Sequence, residues 1–280
     1  MYFLFDNGGQ TCNKLWSYFY SIIDLKLNRS KGVILFYDCE IRKFPTLLDN
    51  PYLKYPFYCN AFINKVGMKH SISFLHRVLE HKCVNIVKCI RTLFPNRILE
   101  GWNKRGVVIS EDLRNEVMEL FHPCDEVREK VNGSFAKEYR SCDCIIGLHI
   151  RYGDYRTAWG GKFFFPIKFF NDICSRLCFL YPEKRIKFFI STNENLDLSD
   201  FKYSYFFIKD SCAITDLYAL SRCDYIIGPP SSFSRWASFY GKTPLAMLTS
   251  HENYDLDFHV YTSYYDYEDG GALSSEYKQY

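Results

Sequence analysis

Three short stretches carry residue types suited to a charged ligand. In "CDCIIGLHIRYGDYR", residues 142–156, an apolar run ends in His149, Arg151, Gly153 and Asp154 within six positions. On a strand, His149 and Arg151 are two apart and project to the same side. Arginine stays charged at any working pH and presents a fixed fork of donors that matches phosphate oxygens. It cannot ligate a metal, so the group fits a diphosphate better than a cation. An Arg151–Asp154 salt bridge that only closes a loop is equally consistent with the spacing.

The second stretch is "DYIIGPPSSFSRWASFYG", residues 224–241, where a buried strand passes through Pro229 and Pro230 into Ser231 and Ser232. These serines begin a helix whose first N–H groups lack intrahelical partners and attract anions. Serine there also reads as an ordinary N-cap. The third is Asp216, near the start of "TDLYALS". It is either a cap near the positive end of the helix dipole or a carboxylate that accepts two parallel hydrogen bonds from a guanine edge. Two anion-suited strand ends in one sheet favour a phosphorylated ligand. Asp255-x-Asp257 is the one D-x-D triplet near aromatic sequence, and no buried strand delivers it.

The elements that must position these residues follow from periodicity. In the second half, strands at 144–150, 186–191, near 205–208, 224–228 and 244–248 alternate with helices at 166–180, 214–223 and 232–241. Strand–helix alternation with continuous apolar strands predicts a parallel sheet covered on both faces. Ligands of such sheets bind beyond the carboxyl ends of the strands. The first half opens with a strand at 2–5, a Gly-rich turn, a helix over 14–27 and a strand at 32–37. An irregular aromatic stretch follows, then a helix over 73–93, a strand at 105–110 and helices starting at Ser110 and near Cys124. A polar joint at 133–142 divides the chain into two α/β halves, residues 1–140 and 141–280.

Composition narrows the class. Hydrophobic residues make up 48% and aromatics 19%, which supports a sizeable core and excludes general disorder. No apolar run approaches the ~20 residues of a bilayer span, and the N-terminus lacks the basic and apolar regions of a signal peptide. The twelve cysteines include no C-x-x-C. Cys83, Cys89, Cys144, Cys174, Cys178 and Cys223 sit in apolar periodic segments, so they read as reduced structural thiols of a cytoplasmic protein. A formal net charge of +3 does not argue for nucleic acid.

"HIRYGDY" together with "DLYALSRCDYIIGPPSSFSRWASFYG" resembles the nucleotide-binding half of the bacterial α-1,2-fucosyltransferases, and more distantly the α-1,6- and protein O-fucosyltransferases. "DNGGQTCNKLWSYFY" is similar to their Gly-rich first loop, and "LFHPCDEVREKV" to the helix before their signature strand. The likeness is strong over about 115–250 and thin over 40–105. It implies a GT-B-like α/β fold, two Rossmann-like domains facing across a cleft, with the acceptor side first and the donor side second. It also implies an inverting, metal-independent transfer of fucose from GDP-fucose to a glycan hydroxyl, with α-1,2 linkage, in bacterial surface polysaccharide synthesis.

By the same resemblance Arg151 holds the β-phosphate, and His149 and Asp216 contact the nucleotide. Ser231, Ser232 and Phe233 line the phosphate and sugar pocket. The donor-binding set further takes in Ser191, Arg235, Gly8, Gly9 and Asn13. Arg151 is the implied catalytic residue, and Asp154 is the candidate base for the acceptor hydroxyl or an orienting partner of Arg151. No cofactor is implied beyond the donor substrate itself. Where relatives carry two adjacent arginines this chain has Arg151-Tyr152. A GDP-sugar-binding protein without turnover, or a transferase of another nucleotide sugar, is the alternative. Finally, residues 69–97 hold six Lys or Arg and one acid, Glu80. That face is either plainly solvated or a peripheral contact with the inner face of a membrane, where a lipid-linked acceptor would lie.

Overall fold

A computed structural model describes residues 1–4, 11–34, 39–55, 92–99, 109–252 and 256–264. The expected helix over 73–93 with its basic face, and the strand at 105–110, fall essentially outside these residues. The chain divides into two compact units, Met1–Cys124 and Asp125–Tyr280. No helix among the described residues is long and apolar enough to cross a membrane.

In the first unit, strands β1 (Tyr2–Leu4), β2 (Gly32–Ile34), β3 (Leu53–Lys54) and β4 (Ile98–Leu99) form a parallel sheet in the order β3-β2-β1-β4. The helix Thr11–Leu27 buries residues on most of its circumference, from Leu15 and Trp16 to Ile22 and Leu25. Such an all-round apolar helix is stable only when covered on several sides. Phe121 supplies one of those covers, its ring 5.9 Å from that of Phe19. Ser110 caps the helix Glu111–Met118 as its sequence suggests, accepting from the Leu113 N–H at 3.4 Å.

The second unit holds six strands: β5 (Cys144–Ile150), β6 (Ile186–Thr192), β7 (Tyr205–Phe206), β8 (Tyr225–Gly228), β9 (Leu245–Met247) and β10 (Phe258–His259). Their order is β10-β9-β8-β5-β6-β7, with β5 to β9 parallel and β10 antiparallel to β9. Chain order thus runs outward one way from β5 through β6 and β7, then returns to β5's other side and runs outward through β8 and β9. That is the doubly wound order of dinucleotide-binding sheets, with the reversal between β5 and β8.

Both faces are covered, which explains why β5 is apolar at nearly every position. Cys144, Ile146, Leu148 and Ile150 cluster with Phe170, Cys174 and Leu177 of the helix Ile167–Leu180. On the other face Gly147 meets Leu220 and Cys223, where an added Cβ would come within 2.7 Å and 2.9 Å of their side-chain atoms. The helix Ala213–Leu220 packs there, and the helices Asp125–Glu138 and Ser232–Gly241 pack against it. The Asp125–Glu138 helix, assigned from sequence to the first half, packs in the second unit, with Phe135 5.9 Å from Phe189 and 5.5 Å from Phe206. Cys144, Cys174 and Cys223 are buried free thiols, and Cys178 is half-buried and free. Cys83 and Cys89 lie outside the described residues.

Candidate functional site

The reversal between β5 and β8 is where two loops part in opposite directions and leave a crevice at the carboxyl ends of the strands. Arg151 follows β5 directly, and Pro229, Pro230 and Ser231 follow β8. The two strands approach closely here. A Cβ on Gly228 would lie 2.8 Å from the His149 Cβ and 3.0 Å from the His149 carbonyl oxygen.

His149 is buried, and its Nδ1 lies 2.6 Å from the Ser234 hydroxyl. Its ring tilts against Phe233 at 5.1 Å. Burial, aided by the positive charge of Arg151, pushes its pKa down to about 3. The imidazole is therefore neutral at any working pH, and it ties the end of β5 to the first turn of the Ser232–Gly241 helix.

Arg151 has a side chain only 13% exposed, with Nη2 2.9 Å from Asp154 Oδ1. Its guanidinium lies 5.6 Å from the centre of the Tyr155 ring. The Tyr155 hydroxyl donates to the Pro230 carbonyl at 2.6 Å, so the turn after β5 is clasped to the turn after β8. Burial raises that hydroxyl to about 12, and it stays a donor. Gly153 adopts φ +54, the left-handed region that favours glycine.

The loop is also held from β6. Asn193 Oδ1 accepts from the Tyr152 N–H at 2.8 Å, and Glu194 Oε2 from the Gly153 N–H at 3.0 Å. Glu194 also pairs with Arg156. Sequence reasoning missed Asn193, Glu194 and the Tyr155 clasp. The available signal was that Asn193 and Glu194 follow the carboxyl end of the neighbouring strand. Tyr152, which follows Arg151 where the family resemblance leads one to expect a second arginine, is buried in the hydrophobic cluster. Its ring centre is 4.7 Å from that of Phe164, and the Arg156 guanidinium lies 4.8 Å over it.

Beyond β8, Ser231 is the N-cap: its hydroxyl accepts from the Phe233 N–H at 3.1 Å. Ser232 opens the helix. Arg235, one turn on, is 3% exposed. Its guanidinium is 5.8 Å and 5.1 Å from the Tyr261 and Tyr264 ring centres. Ser191 stands opposite His149 in the β5–β6 register. It donates to Asp216 Oδ2 at 3.4 Å. Asp216 is not the helix cap, because the N-cap of Ala213–Leu220 is Cys212. Burial pushes the Asp216 carboxyl up to about 6, against hydroxyl bonds from Ser211 and Ser191 that lower it.

The second unit thus brings together at one end of its sheet His149, Arg151, Asp154, Ser191, Asp216, Ser231, Ser232 and Phe233. Asn13 belongs to the first unit, half-buried near the start of the Thr11–Leu27 helix. Gly8 and Gly9 lie outside the described residues. Among the described residues no group of three or more His, Cys, Asp or Glu could hold a metal ion.

The sequence matches no protein-family model and no curated protein. Solved structures do match. The NodZ α-1,6-fucosyltransferase soaked with GDP-fucose aligns with TM-score 0.56 and 17% identity over 92% of this chain and 98% of that one. Fucosyltransferase NodZ from Bradyrhizobium aligns with TM-score 0.53 and 17% identity over 88% and 94%. POFUT1 in complex with GDP aligns with TM-score 0.51 and 10% identity over 88% and 98%. The chain therefore has the mixed α/β, parallel-sheet, GT-B-like fold of these fucosyltransferases.

Proposed function

We propose that the protein is a glycosyltransferase that moves fucose from GDP-fucose to a glycan hydroxyl, with inversion and without a metal ion. The observation that carries this reading is the meeting, at one switch point, of Arg151 after β5 with the helix N-terminus after β8. Two sources of positive potential at diverging strand ends suit the diphosphate of a nucleotide sugar. The NodZ and POFUT1 structures of the same fold were solved with GDP-fucose and with GDP. The finer assignment is an α-1,2 linkage on a surface-polysaccharide acceptor bound by the N-terminal unit.

As the fucose–phosphate bond breaks, negative charge gathers on the departing GDP and the sugar becomes oxocarbenium-like. Arg151 and the N–H groups of the first helical turn stabilise that charge without reorganising, because both are already in place. The His149–Ser234 bond and the Tyr155 clasp keep the two turns in register. Asp216 takes the guanine edge by accepting two N–H bonds. Asp154 is the proposed base for the acceptor hydroxyl, and it becomes available when the phosphate takes over Arg151.

The test is ligand-dependent stability. GDP is expected to raise the melting temperature of the protein and UDP to do much less, since only a native-state ligand shifts the transition. Equal shifts from both nucleotides would remove Asp216 as a guanine contact. Added EDTA should leave fucose transfer intact, and linkage analysis of the product identifies the bond formed.

A pH series gives a second, independent check. The Asp216 pKa is raised to about 6 in the fold, from an ordinary value near 4. A raised acid stabilises the fold below its unfolded pKa, and that contribution is lost as pH rises through about 6. The unliganded protein should therefore lose stability from this group between pH 4 and 6. The guanine edge requires the carboxylate, so the GDP-induced shift should grow over the same interval. A GDP shift that is flat across that interval in the wild type, or pH-dependent in Asp216→Asn, contradicts the assignment.

A further inference from the structure

The end of the second unit opposite the strand carboxyl ends carries a surface that the transfer reaction does not use. The Ile167–Leu180 helix finishes in Phe179, Leu180 and Tyr181, which are 83%, 54% and 47% exposed. Three consecutive large apolar side chains in water oppose the usual burial of such residues. Pro182, Glu183, Lys184 and Arg185 follow, all exposed, and the Lys184 ammonium sits 6.0 Å from the Tyr181 ring centre. Register places this tip beside the turn that precedes β5, because Cys144 pairs with Ile186. Arg185 is held there by both oxygens of Asp143, at 2.6 Å and 3.0 Å. Exposed Tyr139 and Arg140 belong to the same turn.

The neighbouring strands continue this end face. A cavity of about 600 Å³ lies in front of β8 and β9, lined among others by Asn132, Tyr139, Arg222, Asp224 and Lys242. The Asp224 Oδ2 accepts from the Ile145 N–H at 2.7 Å and the Tyr139 hydroxyl at 2.8 Å. That carboxylate is thereby turned towards the strand, and Arg222 and Lys242 give the cavity its positive charge. Lys242 takes φ +54, an uncommon conformation for a residue with a Cβ. Tyr225, at the start of β8, adds one more partly exposed ring.

We propose that this end face docks on an anionic lipid surface. Phe179, Leu180 and Tyr181 enter the interfacial layer, where amphipathic aromatic rings sit at the level of the headgroups. Arg140, Lys184, Arg222 and Lys242 meet the negative headgroups, and the Arg222–Lys242 cavity receives a headgroup phosphate. The occupant is identified by combining an apolar tip with flanking basic residues and a cationic recess: a neutral protein partner explains the first alone, and a soluble anion only the last. Docked in this way, the strand carboxyl ends face away from the membrane. The proposal does not depend on the identity of the donor sugar or on any transferase activity.

Vesicle flotation of the full chain tests it. The wild type should float with vesicles containing phosphatidylglycerol at low salt, and should dissociate at high salt and on pure phosphatidylcholine. Arg222→Glu and Lys184→Glu should each weaken binding by at least about fivefold, the expectation for one basic residue near such a surface. Phe179→Asp combined with Leu180→Asp should abolish flotation. All four positions are exposed, so unchanged circular dichroism and melting temperature establish that the variants remain folded. Absence of flotation at low salt overturns the proposal, as does flotation that the variants leave unchanged. Concentration-dependent self-association lost in the Phe179→Asp variant, without vesicle binding, also overturns it and assigns the tip to a second copy.

Discussion

Arg151→Ala is expected to lower fucose transfer by about a hundred- to thousandfold, equivalent to ~3–4 kcal/mol, the usual effect of removing one preorganised donor to developing charge. The fold should survive. Arg151 keeps only 13% of its side chain exposed, yet its ionic partner Asp154 is 57% exposed and is hydrated once the guanidinium is gone. Removing the guanidinium therefore leaves no buried, unpaired carboxylate, the circumstance that makes a broken ion pair costly. Arg151→Lys should rescue poorly, because an ammonium is a point charge that cannot grip two oxygens of one phosphate in parallel. Initial rates with GDP-fucose and a responsive acceptor, read beside the melting temperatures of all three proteins, separate the two roles. Near-normal turnover in the Lys variant, or a collapse of the Ala variant's fold, would make Arg151 a structural residue.

The second half of the chain was far more legible than the first, for physical reasons. Strands buried on both faces, such as β5 and β6, are written as uninterrupted apolar runs, and Pro166 and Ser231 mark the helices that follow. The Arg151–Asp154 pair and the Ser231 cap are local contacts, three and two residues apart, so spacing alone offered each of them as the alternative to a ligand-binding role. The Tyr155–Pro230 clasp joins residues 75 positions apart, and the Tyr152–Asn193 bond spans 41. No periodicity encodes such partners. Two-residue β10 carries too few positions for any pattern, and it pairs antiparallel at the edge of an otherwise parallel sheet. The Asp125–Glu138 helix, counted from sequence with residues 1–140, falls in the second compact unit for a similar reason. Its polar C-terminal turn looks like a joint, while the contact of Phe135 with Phe189, which decides where the helix packs, is long-range. Arg235 is a further case. The family resemblance placed it in the donor-binding set, and only the fold brings its guanidinium to within 5.8 Å and 5.1 Å of the Tyr261 and Tyr264 ring centres.

Gly228→Ala is expected to disable the site and destabilise the fold together. The added Cβ would stand 2.8 Å from the His149 Cβ and 3.0 Å from its carbonyl oxygen, and neither atom can swing aside as the end of a flexible side chain would. Relief requires β8 to move away from β5 at the switch point. That movement strains the β8–β9 ladder, in which the Leu248 N–H donates to the Gly228 carbonyl at 2.8 Å. It also pulls the Ser232–Gly241 helix from its bond to His149 and lengthens the Tyr155–Pro230 clasp. Overpacking of this kind costs about 1–3 kcal/mol or more. In a chain of this size each kcal/mol lowers the melting temperature by about 2–4 °C. Gly133→Ala is the matched control. It lies within the Asp125–Glu138 helix, where an added Cβ meets nothing within 4 Å. There the same substitution should stabilise by about 0.5–1 kcal/mol, because alanine restricts the unfolded backbone and favours helix. Thermal scans of both variants with and without GDP should therefore move in opposite directions, with the GDP shift kept in the Gly133 variant and lost in the Gly228 variant. A Gly228→Ala protein with wild-type melting temperature and GDP response would mean that the close approach of β8 to β5 is not what holds the turns after these two strands together.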